Sequence, residues 1–417
     1  MKKHWLLTAA LLVCSPALLA WDVVITMDRP DGQYKVGETA KFTVKAVGDD
    51  VPDGKITADF SIDNGKVLEK RSFALKEGAV FSGTLDKPGF LKVSIRHRVA
   101  GKRIYKIKGA AFEPEKIVPG SESPADFKSW WDGELAAAKK SAGKVELKEL
   151  PKYSGSGKNG SFKCYLVSVN VDGGKVYGFL TVPVSEKPVP AVVMIAAAGS
   201  DRSAPVVNQF SNRWAVLYLN VHDVDPTAAD AAAFRKSIHT TYPRQNSGDK
   251  SKYFYHRVIC GMNLLVDHLA ALPEINGNHI GVMGVSQGGG LSLILAATNK
   301  HIKAAAVAVP AFCDHFAAAQ DRAPGWPKLI QRNVDGSAET AKYYDAANFC
   351  RLISVPVWMV VGYEDETCPP GSVYAAFNSI PGARKAIMPE VDKGHTGGTR
   401  SYGECVGRMR NFVLRSK

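Results

Sequence analysis

The segment that decides the fold is Ile280-Gly-Val-Met-Gly-Val-Ser-Gln-Gly-Gly-Gly-Leu-Ser-Leu-Ile-Leu-Ala-Ala297. Its first part is apolar without alternation, which is typical of a strand covered on both faces, and its last part has the length and pattern of a helix. Between them stands Gly284-Val-Ser286-Gln-Gly288, a Gly-x-Ser-x-Gly pattern. At a sharp strand-to-helix turn, this pattern holds a serine hydroxyl at the carboxyl edge of a sheet. We therefore predict that Ser286 is a catalytic nucleophile.

Two backbone amides near this turn are predicted to bind the oxyanion of an acyl-transfer reaction. The amide of Gln287 follows the nucleophile and lies at a helix N-terminus, which favours negative charge. The second donor is expected in the loop after the apolar run 191–198, because small residues there let a backbone amide approach a substrate. We assign this second donor to Ala198.

A serine nucleophile needs a histidine base, and a carboxylate must orient that base. Three acids, Glu364, Asp365 and Glu366, follow a predicted strand downstream of the nucleophile. His395 is the only histidine after them in the sequence. The chain order serine, acid, histidine is the order expected for a nucleophile on a strand-to-helix turn. The pattern predicts His395 as the base and leaves the choice among the three acids open.

The chain around this segment has the pattern of an α/β domain, which we expect to span residues 126–417. Apolar runs without alternation predict a mostly parallel sheet with helices on both faces. The predicted strands cover 162–169, 176–182, 191–198, 214–221, 279–284, 304–309 and 355–362, and the main helices 123–140, 255–272 and 288–299.

Residues 21–112 have a different pattern, in which apolar and polar residues alternate over short segments such as 40–46, 56–62 and 90–96. Turn signals, among them Asn64-Gly65, separate these segments. This pattern predicts a small antiparallel β-sandwich with its own core. Residues 113–125 contain four prolines or glycines and are expected to form a linker.

Residues 1–20 have the pattern of a secretory signal peptide that is cleaved after Ala20. Lys2 and Lys3 precede a largely apolar run, 5–14, which is shorter than the roughly 20 residues of a membrane span. We therefore expect an exported protein, periplasmic or extracellular, without membrane association after cleavage.

Charge and cysteine content narrow the partners that we expect. The net charge is +13, and removal of Lys2 and Lys3 leaves +11. The basic residues are scattered without long runs, so we expect no nucleic-acid partner. Disulfides or buried free thiols are both compatible with an even number of cysteines in an exported chain. The spacing of these residues lacks a CxxC pair, and we expect no metal and no cofactor. The six cysteines that follow the predicted signal peptide are Cys164, Cys260, Cys313, Cys350, Cys368 and Cys405.

These motifs resemble the acetyl xylan esterase and cephalosporin-C deacetylase family, carbohydrate esterase family seven, whose domain has the α/β-hydrolase fold. The family's catalytic aspartate stands three residues before Cys-Pro-Pro, which implies Asp365 as the triad acid. The resemblance covers most of residues 123–417. It rests on Gly284-Val-Ser-Gln-Gly-Gly-Gly290, Val309-Pro-Ala-Phe-Cys-Asp314, Tyr343-Tyr-Asp-Ala-Ala-Asn348, Gly362-Tyr-Glu-Asp-Glu-Thr-Cys-Pro-Pro370, Tyr374-Ala-Ala-Phe-Asn378 and Gly394-His395.

The sequence departs from the family at two loops. The usual His-Gly-Tyr of the oxyanion loop is replaced by Ala196-Ala-Ala198, and the usual Arg-Gly-Gln is replaced by Val221-His-Asp223. His222 is therefore either a buried polar group with its own partner or a substrate contact, and we favour the former.

The resemblance implies a serine esterase that acts on acetyl groups of xylan, xylo-oligosaccharides or other small acetyl esters, without a cofactor. A secreted peptidase or a dienelactone-type hydrolase on the same fold is the first alternative. An inactive carbohydrate-binding protein is the second, because of the altered oxyanion loop. A homo-oligomer is compatible with each of these interpretations.

The role of the β-sandwich is expected to be structural, because its sequence shows no stripe of aromatic residues that could stack on sugars. Glycan binding is the alternative, helped by its many lysines if the glycan carries acidic groups. On the structural interpretation, a chain without residues 21–112 is expected to retain hydrolysis of small soluble esters.

Overall fold

The computed structural model describes residues 21–157, 160–171, 173–207, 210, 213–396 and 398–416. The predicted signal peptide, residues 1–20, lies outside the described residues. Two units follow one another along the described chain, a β-sandwich and a larger α/β unit.

The β-sandwich consists of two sheets with strand orders β1-β3-β6 and β2-β8-β7-β4-β5. Neighbouring strands are antiparallel except for the short pair β2 and β8. Alternate residues of one central strand, Leu91, Val93 and Ile95, enter the core that the two sheets share. This confirms the predicted small antiparallel sandwich. The strands are β1 (Trp21–Met27), β2 (Gln33–Tyr34), β3 (Thr39–Gly48), β4 (Lys55–Ile62), β5 (Val67–Ala74), β6 (Ala79–Thr84), β7 (Gly89–Val99) and β8 (Lys102–Phe112).

The α/β unit is built on a sheet of ten described strands with the order β10-β11-β12-β14-β13-β15-β16-β17-β18, and β9 pairs with β11. The strands from β14 to β18 are parallel, and the edge from β9 to β12 is antiparallel. This confirms the predicted mostly parallel sheet. The strands are β9 (Glu146–Glu149), β10 (Gly155–Gly157), β11 (Gly160–Val171), β12 (Gly174–Pro183), β13 (Val189–Ile195), β14 (Ala215–Leu219), β15 (Ile275–Val285), β16 (Ile302–Ala308), β17 (Val357–Gly362) and β18 (Lys385–Glu390).

Helices cover both faces of this sheet. On β16, Ala305 and Val307 belong to the largest core, while Ala304 and Ala306 belong to a second core with Met409 of the last helix. Two buried faces explain why these strands lack alternation. The helices are α1 (Phe127–Ser141), α2 (Ala231–Ile238), α3 (Phe254–Ala271), α4 (Gln287–Thr298), α5 (Ser337–Tyr343), α6 (Ala346–Cys350), α7 (Pro370–Ser379) and α8 (Thr399–Arg415). In the described part of the chain, none of them has the length and apolar character needed to cross a bilayer.

The segment between the two units is fixed to the α/β unit by hydrogen bonds. The Asn378 side chain donates to the carbonyl oxygens of Pro114 and Ile117 over 2.9 and 2.8 Å. The amide of Gly120 donates to a carboxylate oxygen of Asp314 over 2.7 Å. Residues 113–125 therefore connect the units without behaving as a free linker.

The outer face of β7 and β8 packs against the segment that follows β17. The Phe90 ring lies edge-on to Tyr363, with ring centroids 5.1 Å apart, and also contacts Tyr374. Gly109 lies so close to this segment that an added Cβ would come within 2.5 Å of the Tyr363 carbonyl oxygen. The sandwich is thus docked on the loop that carries the three candidate acids.

All six described cysteines are buried, and none of them forms a disulfide. Burial raises the pKa of the Cys313 and Cys368 thiols well above their ordinary value, and it raises that of Cys405 to about 12. Because the thiolate is the reactive form, we expect these buried thiols to react slowly in the folded chain. Of the two alternatives for the cysteines, the structure shows the buried thiols.

Candidate active site

Ser286 occupies the turn between β15 and α4, as its sequence pattern predicted. Its backbone has a φ of 56°, in the left-handed region that side chains rarely adopt. Its amide donates to the Ala308 carbonyl over 2.9 Å, and its carbonyl accepts from the amides of Gly290 and Ala311 over 3.0 and 2.9 Å. These hydrogen bonds hold a conformation that is costly in isolation, which is common at functional sites.

The two glycines of the Gly-x-Ser-x-Gly pattern are required by close backbone contacts. A Cβ on Gly284 would lie 2.2 Å from the carbonyl oxygen of Gly288. A Cβ on Gly288 would lie 2.1 Å from the carbonyl oxygen of Ile195 in the neighbouring strand. Neither position therefore has room for a side chain.

The structure brings Ser286, His395 and Asp365 into one hydrogen-bonded line. Nε2 of His395 lies 2.9 Å from Oγ of Ser286, and Nδ1 of the same ring lies 2.8 Å from Oδ2 of Asp365. The other carboxylate oxygen of Asp365 accepts the amides of Thr367 and Cys368 over 2.8 and 2.9 Å. Asp365 is fully buried, while a quarter of the His395 side chain remains exposed. This arrangement orients the imidazole and leaves one edge open to a substrate.

The neighbouring acids point away from the histidine. Nζ of Lys108 lies 2.8 Å from Oε1 of Glu364. Glu366 contacts the Tyr105 hydroxyl and the Arg96 guanidinium of the sandwich. Of the three candidate acids, Asp365 alone contacts His395, as the family resemblance implied.

Cys368 adds a thiol to this cluster. One ligand-type atom each of Asp365, Cys368 and His395 lie within 4.8 Å of one another. The carboxylate and imidazole already hydrogen-bond to each other and to Ser286, and the Cys368 thiol is kept protonated by burial. The triad geometry therefore accounts for the cluster without a metal ion.

Two side chains of the sandwich hydrogen-bond to the backbone of the triad acid, Asp365. Nζ of Lys92, on β7, donates to the carbonyl oxygen of Asp365 over 2.7 Å, and Nδ2 of Asn64 donates to the same oxygen over 3.3 Å. Lys92 is fully buried and forms an ion pair with buried Asp63, with 3.2 Å between Nζ and Oδ1. The second oxygen of Asp63 accepts the amide of Gly371, in the first turn of α7, over 2.8 Å. The turn between β4 and β5 thus enters the α/β unit directly behind the triad.

The side chain of Gln287 joins the turn to the oxyanion loop. Its Nε2 donates to the carbonyl of Ala196 over 3.0 Å, and its Oε1 accepts the hydroxyls of Tyr242 and Tyr255 over 2.7 and 2.6 Å. All these groups are buried. The side chain of Gln287 therefore holds the loop that is predicted to supply the second oxyanion donor.

The oxyanion loop is further held by a buried hydrogen bond between a histidine and an aspartate. Nδ1 of His222 lies 2.7 Å from Oδ2 of Asp201, whose carboxylate also accepts the amides of Val221 and His222. The His222 ring packs edge-on against Tyr242, with centroids 4.6 Å apart. The side chains of His222 and Asp201 are almost fully buried. This contact fits the favoured interpretation of His222 as a buried polar group with its own partner.

Two clefts meet beside the triad, and Glu366 and Thr367 line both. One, of about 440 Å³, includes Ala198 and Trp326 in its wall. The other, of about 520 Å³, lies between the sandwich and the loop of His395. In the oxyanion loop, the amides of Ala196 and Ser200 donate to the Leu219 and Ala197 carbonyls. Ala198 thus borders a substrate-sized space, and its assignment as the second oxyanion donor stays a prediction.

Sequence reasoning missed the residues that support the triad. Lys92 and Asn64 lie in the sandwich, and the alternating pattern of β7 gave no sign that its polar face is covered. Tyr242 and Tyr255 stand outside the quoted motifs. In Phe90-Leu-Lys-Val93, the sequence does not distinguish a lysine covered by a second unit from one exposed to solvent.

A mostly parallel sheet with a serine on a strand-to-helix turn, hydrogen-bonded to a histidine and then to a buried aspartate, defines an α/β-hydrolase. The profile of the acetyl xylan esterase (AXE1) family matches residues 113–402. The chain therefore belongs to the acetyl xylan esterase family and is a carboxylic-ester hydrolase. This confirms the resemblance found in the sequence.

Three relatives illustrate the match. Acetyl esterase Axe7A from Xylanibacter ruminicola is 29% identical over 392 residues, covering 90% of this chain and 87% of that protein. Acetyl xylan esterase 1 from Thermoanaerobacterium sp. superposes with a TM-score of 0.56 and 22% identity, covering 72% of this chain and 98% of that chain. The acetyl xylan esterase from Paenibacillus sp. R4 gives a TM-score of 0.58 and 22% identity, covering 73% and 99%. These structures share the fold.

These matches differ in the share of the chain that they cover. Residues 113–417 make up less than three quarters of the chain, and the two structures cover about that share. The match to the Xylanibacter ruminicola esterase covers 90% of the chain and therefore extends into residues 1–112. A segment resembling the sandwich is thus shared with at least one other acetyl esterase.

Proposed function

We propose that the protein is an exported serine esterase that removes acetyl groups from xylan, xylo-oligosaccharides or similar acetyl esters through an acyl-enzyme. The observation that carries this proposal is the single imidazole of His395, which lies within 2.9 Å of Oγ of Ser286 and 2.8 Å of a buried carboxylate. Family membership and the names of the relatives support the acetylated carbohydrate as substrate.

Acylation begins with the Ser286 hydroxyl. In the tautomer with its proton on Nδ1, His395 donates to Asp365, and its Nε2 accepts the serine proton as Oγ attacks the ester carbonyl. The buried carboxylate stabilises the imidazolium that forms, and the amides of Gln287 and Ala198 donate to the oxyanion. Collapse of the tetrahedral intermediate then breaks the bond between the carbonyl carbon and the sugar oxygen, the imidazolium protonates that oxygen to release the sugar, and the acetyl group remains on Ser286.

Deacylation reverses these roles with water. His395 removes a proton from a water molecule, which attacks the acetyl-serine carbonyl, and the same amides bind the second oxyanion. Collapse releases acetate and returns the proton to Ser286. The exposed edge of His395 gives both the sugar and the water access to Nε2.

We further propose that the mature enzyme works in the periplasm or outside the cell. The signal-peptide pattern of residues 1–20 supports export, and an acetylated plant polysaccharide is an extracellular substrate. The buried thiols are compatible with an oxidising compartment because none is accessible for pairing in the folded chain. Assembly into a homo-oligomer stays a prediction.

The test is acetate release from a panel of acetylated xylan, acetylated xylo-oligosaccharides, simple acetyl esters and peptides. We expect release from the glycans and simple esters, and no cleavage of peptides. Ser286→Ala is the matched control and is expected to lose about 10³-fold or more in kcat while its circular dichroism is unchanged. A burst of alcohol product before steady state reveals the acyl-enzyme. Peptide cleavage without acetate release from any glycan contradicts the proposal.

A further inference from the structure

The cleft of about 520 Å³ beside the triad has one wall from the sandwich and one from the α/β unit. On the sandwich side, Tyr105, Lys106 and Lys108 of β8 line it, and on the other side Glu366 and His395 do so. Its volume lies within the range of about 300–1,000 Å³ that is usual for small-molecule sites. The space therefore continues from the catalytic histidine onto a second unit of the chain.

The aromatic ring of Tyr105 lies in the wall of this cleft, where a ligand could pack on it. Half of the residue is exposed, although its hydroxyl contacts the carboxylate of Glu366 and the Arg96 guanidinium lies 5.9 Å from its ring centroid. These contacts hold the ring, with the guanidinium over it, and half of the residue stays exposed in the wall of the cleft. A fixed aromatic face loses little entropy when a ligand packs on it. The apolar face of a pyranose ring is a ligand of that shape.

The charged side chains that line the cleft are paired with each other or with neighbouring groups, which favours a neutral ligand. Nζ of Lys106 lies 2.7 Å from a carboxylate oxygen of Asp22, and Nζ of Lys108 lies 2.8 Å from one of Glu364. Each basic group thus has an acidic partner, so the cleft has little net field for a polyanion. Paired ammonium and carboxylate groups still offer donors and acceptors to sugar hydroxyls.

We infer that this cleft binds the sugar residues next to the acetylated one, with Tyr105 as the stacking platform. The inference rests on the proposed function, because it requires the ester to be carried by an oligosaccharide. The cleft that Ala198 lines shares Glu366 and Thr367 with this one, so the two clefts adjoin at these residues. A glycan chain with its acetylated residue at Ser286 can then extend over the sandwich.

The experiment compares kcat/KM for acetylated xylose, acetylated xylohexaose and p-nitrophenyl acetate. Tyr105→Ala is expected to lower the value for the hexaose about five- to tenfold, mainly through KM, and to leave the xylose and nitrophenyl esters unchanged. Tyr105→Phe is the matched control, since it keeps the ring and removes the hydroxyl contact with Glu366. It is expected to keep the wild-type preference for the longer substrate.

Three results would overturn the inference. If Tyr105→Ala leaves kcat/KM for the hexaose unchanged, the ring does not bind the sugar. If kcat/KM falls equally for all three esters, the tyrosine only supports the loop of Glu366. A loss in Tyr105→Phe as large as that in Tyr105→Ala assigns the effect to the hydroxyl contact. If the wild type releases acetate from neither sugar substrate but hydrolyses the nitrophenyl ester, the proposed function fails as well.

Discussion

Replacing the buried Lys92 by methionine tests whether the sandwich is part of the catalytic apparatus. Lys92→Met keeps an unbranched side chain that is one atom shorter and removes the ammonium that lies between Asp63 and the Asp365 carbonyl. Both charged residues are fully buried, so the carboxylate of Asp63 loses its counter-ion in a site without solvent. Breaking a buried pair in this way costs about 3–5 kcal/mol of stability.

The same substitution is expected to reduce activity separately from stability. The Asp365 carbonyl retains only the longer contact from Asn64, at 3.3 Å, so the acid loop is less firmly held. A shift of the triad acid by a fraction of an ångström is expected to lower kcat by about tenfold to a hundredfold. The measurements are urea denaturation and hydrolysis of a small acetyl ester at a temperature where the variant is folded.

The double variant Asp63→Asn/Lys92→Met separates the two effects. Without a buried charge, most of the lost stability is expected to return, because neutral replacement of a buried pair costs little. Activity is expected to stay low, because the Asp365 carbonyl still lacks its ammonium donor. A single variant that loses less than about 1 kcal/mol, or a double variant with wild-type kcat, would refute the reasoning.

Three further predictions concern other parts of the α/β unit. Asp365→Asn is expected to lower kcat on a small acetyl ester about 10⁴-fold, and Glu364→Gln or Glu366→Gln less than tenfold, so a larger loss from either glutamate would reassign the acid. Gln287→Met keeps the backbone amide but loses the hydrogen bonds of the side chain, and steady-state kinetics should show kcat falling about tenfold to a hundredfold with KM nearly unchanged; a rise in KM alone would indicate a binding role. Burial lowers the pKa of His315 to about 3, so between this value and its ordinary pKa the unfolded chain takes up a proton that the folded chain does not. Stability should therefore fall by about 2 kcal/mol from about pH 7 to pH 5, an effect that urea denaturation would show to be missing in His315→Gln.

The nucleophile turn could be predicted because its determinants are local. A strand, two glycines at fixed spacing and a following helix all lie within residues 280–297, and each has its own sequence pattern. The order of acid and histidine along the chain then limited the search to 364–366 and His395. The structure brings the predicted triad together because the three residues follow β15, β17 and β18, parallel strands whose carboxyl ends lie at the same edge of the sheet.

The contribution of the sandwich could not be predicted, because it depends on how two units dock. In β7, the alternating pattern correctly placed Leu91 and Val93 in the sandwich core. The pattern left Phe90 and Lys92 on the other face of the strand. It does not show whether that face is exposed to solvent or covered by a second unit. The structure buries that face against the acid loop, and so gives a reason to expect that deletion of residues 21–112 impairs even small-ester hydrolysis.

The oxyanion loop shows the same limit at a smaller scale. Small residues at 196–198 predicted close backbone approach, and the replacement of the family's usual motif left the support of the loop unexplained. Gln287, Tyr242 and Tyr255 provide that support through side chains that converge only after folding. Propensity and spacing carry no information about such long-range convergence.

The six buried cysteines can serve as natural probes of local unfolding in this chain. A maleimide or disulfide reagent cannot reach them in the native state, so each modified cysteine marks an opening event in its neighbourhood. Cys164 lies in β11, Cys368 follows the triad acid and Cys405 lies in α8, so mass spectrometry of labelled peptides separates three regions of the α/β unit. Labelling rates at these positions give a map of local unfolding without any engineered residue.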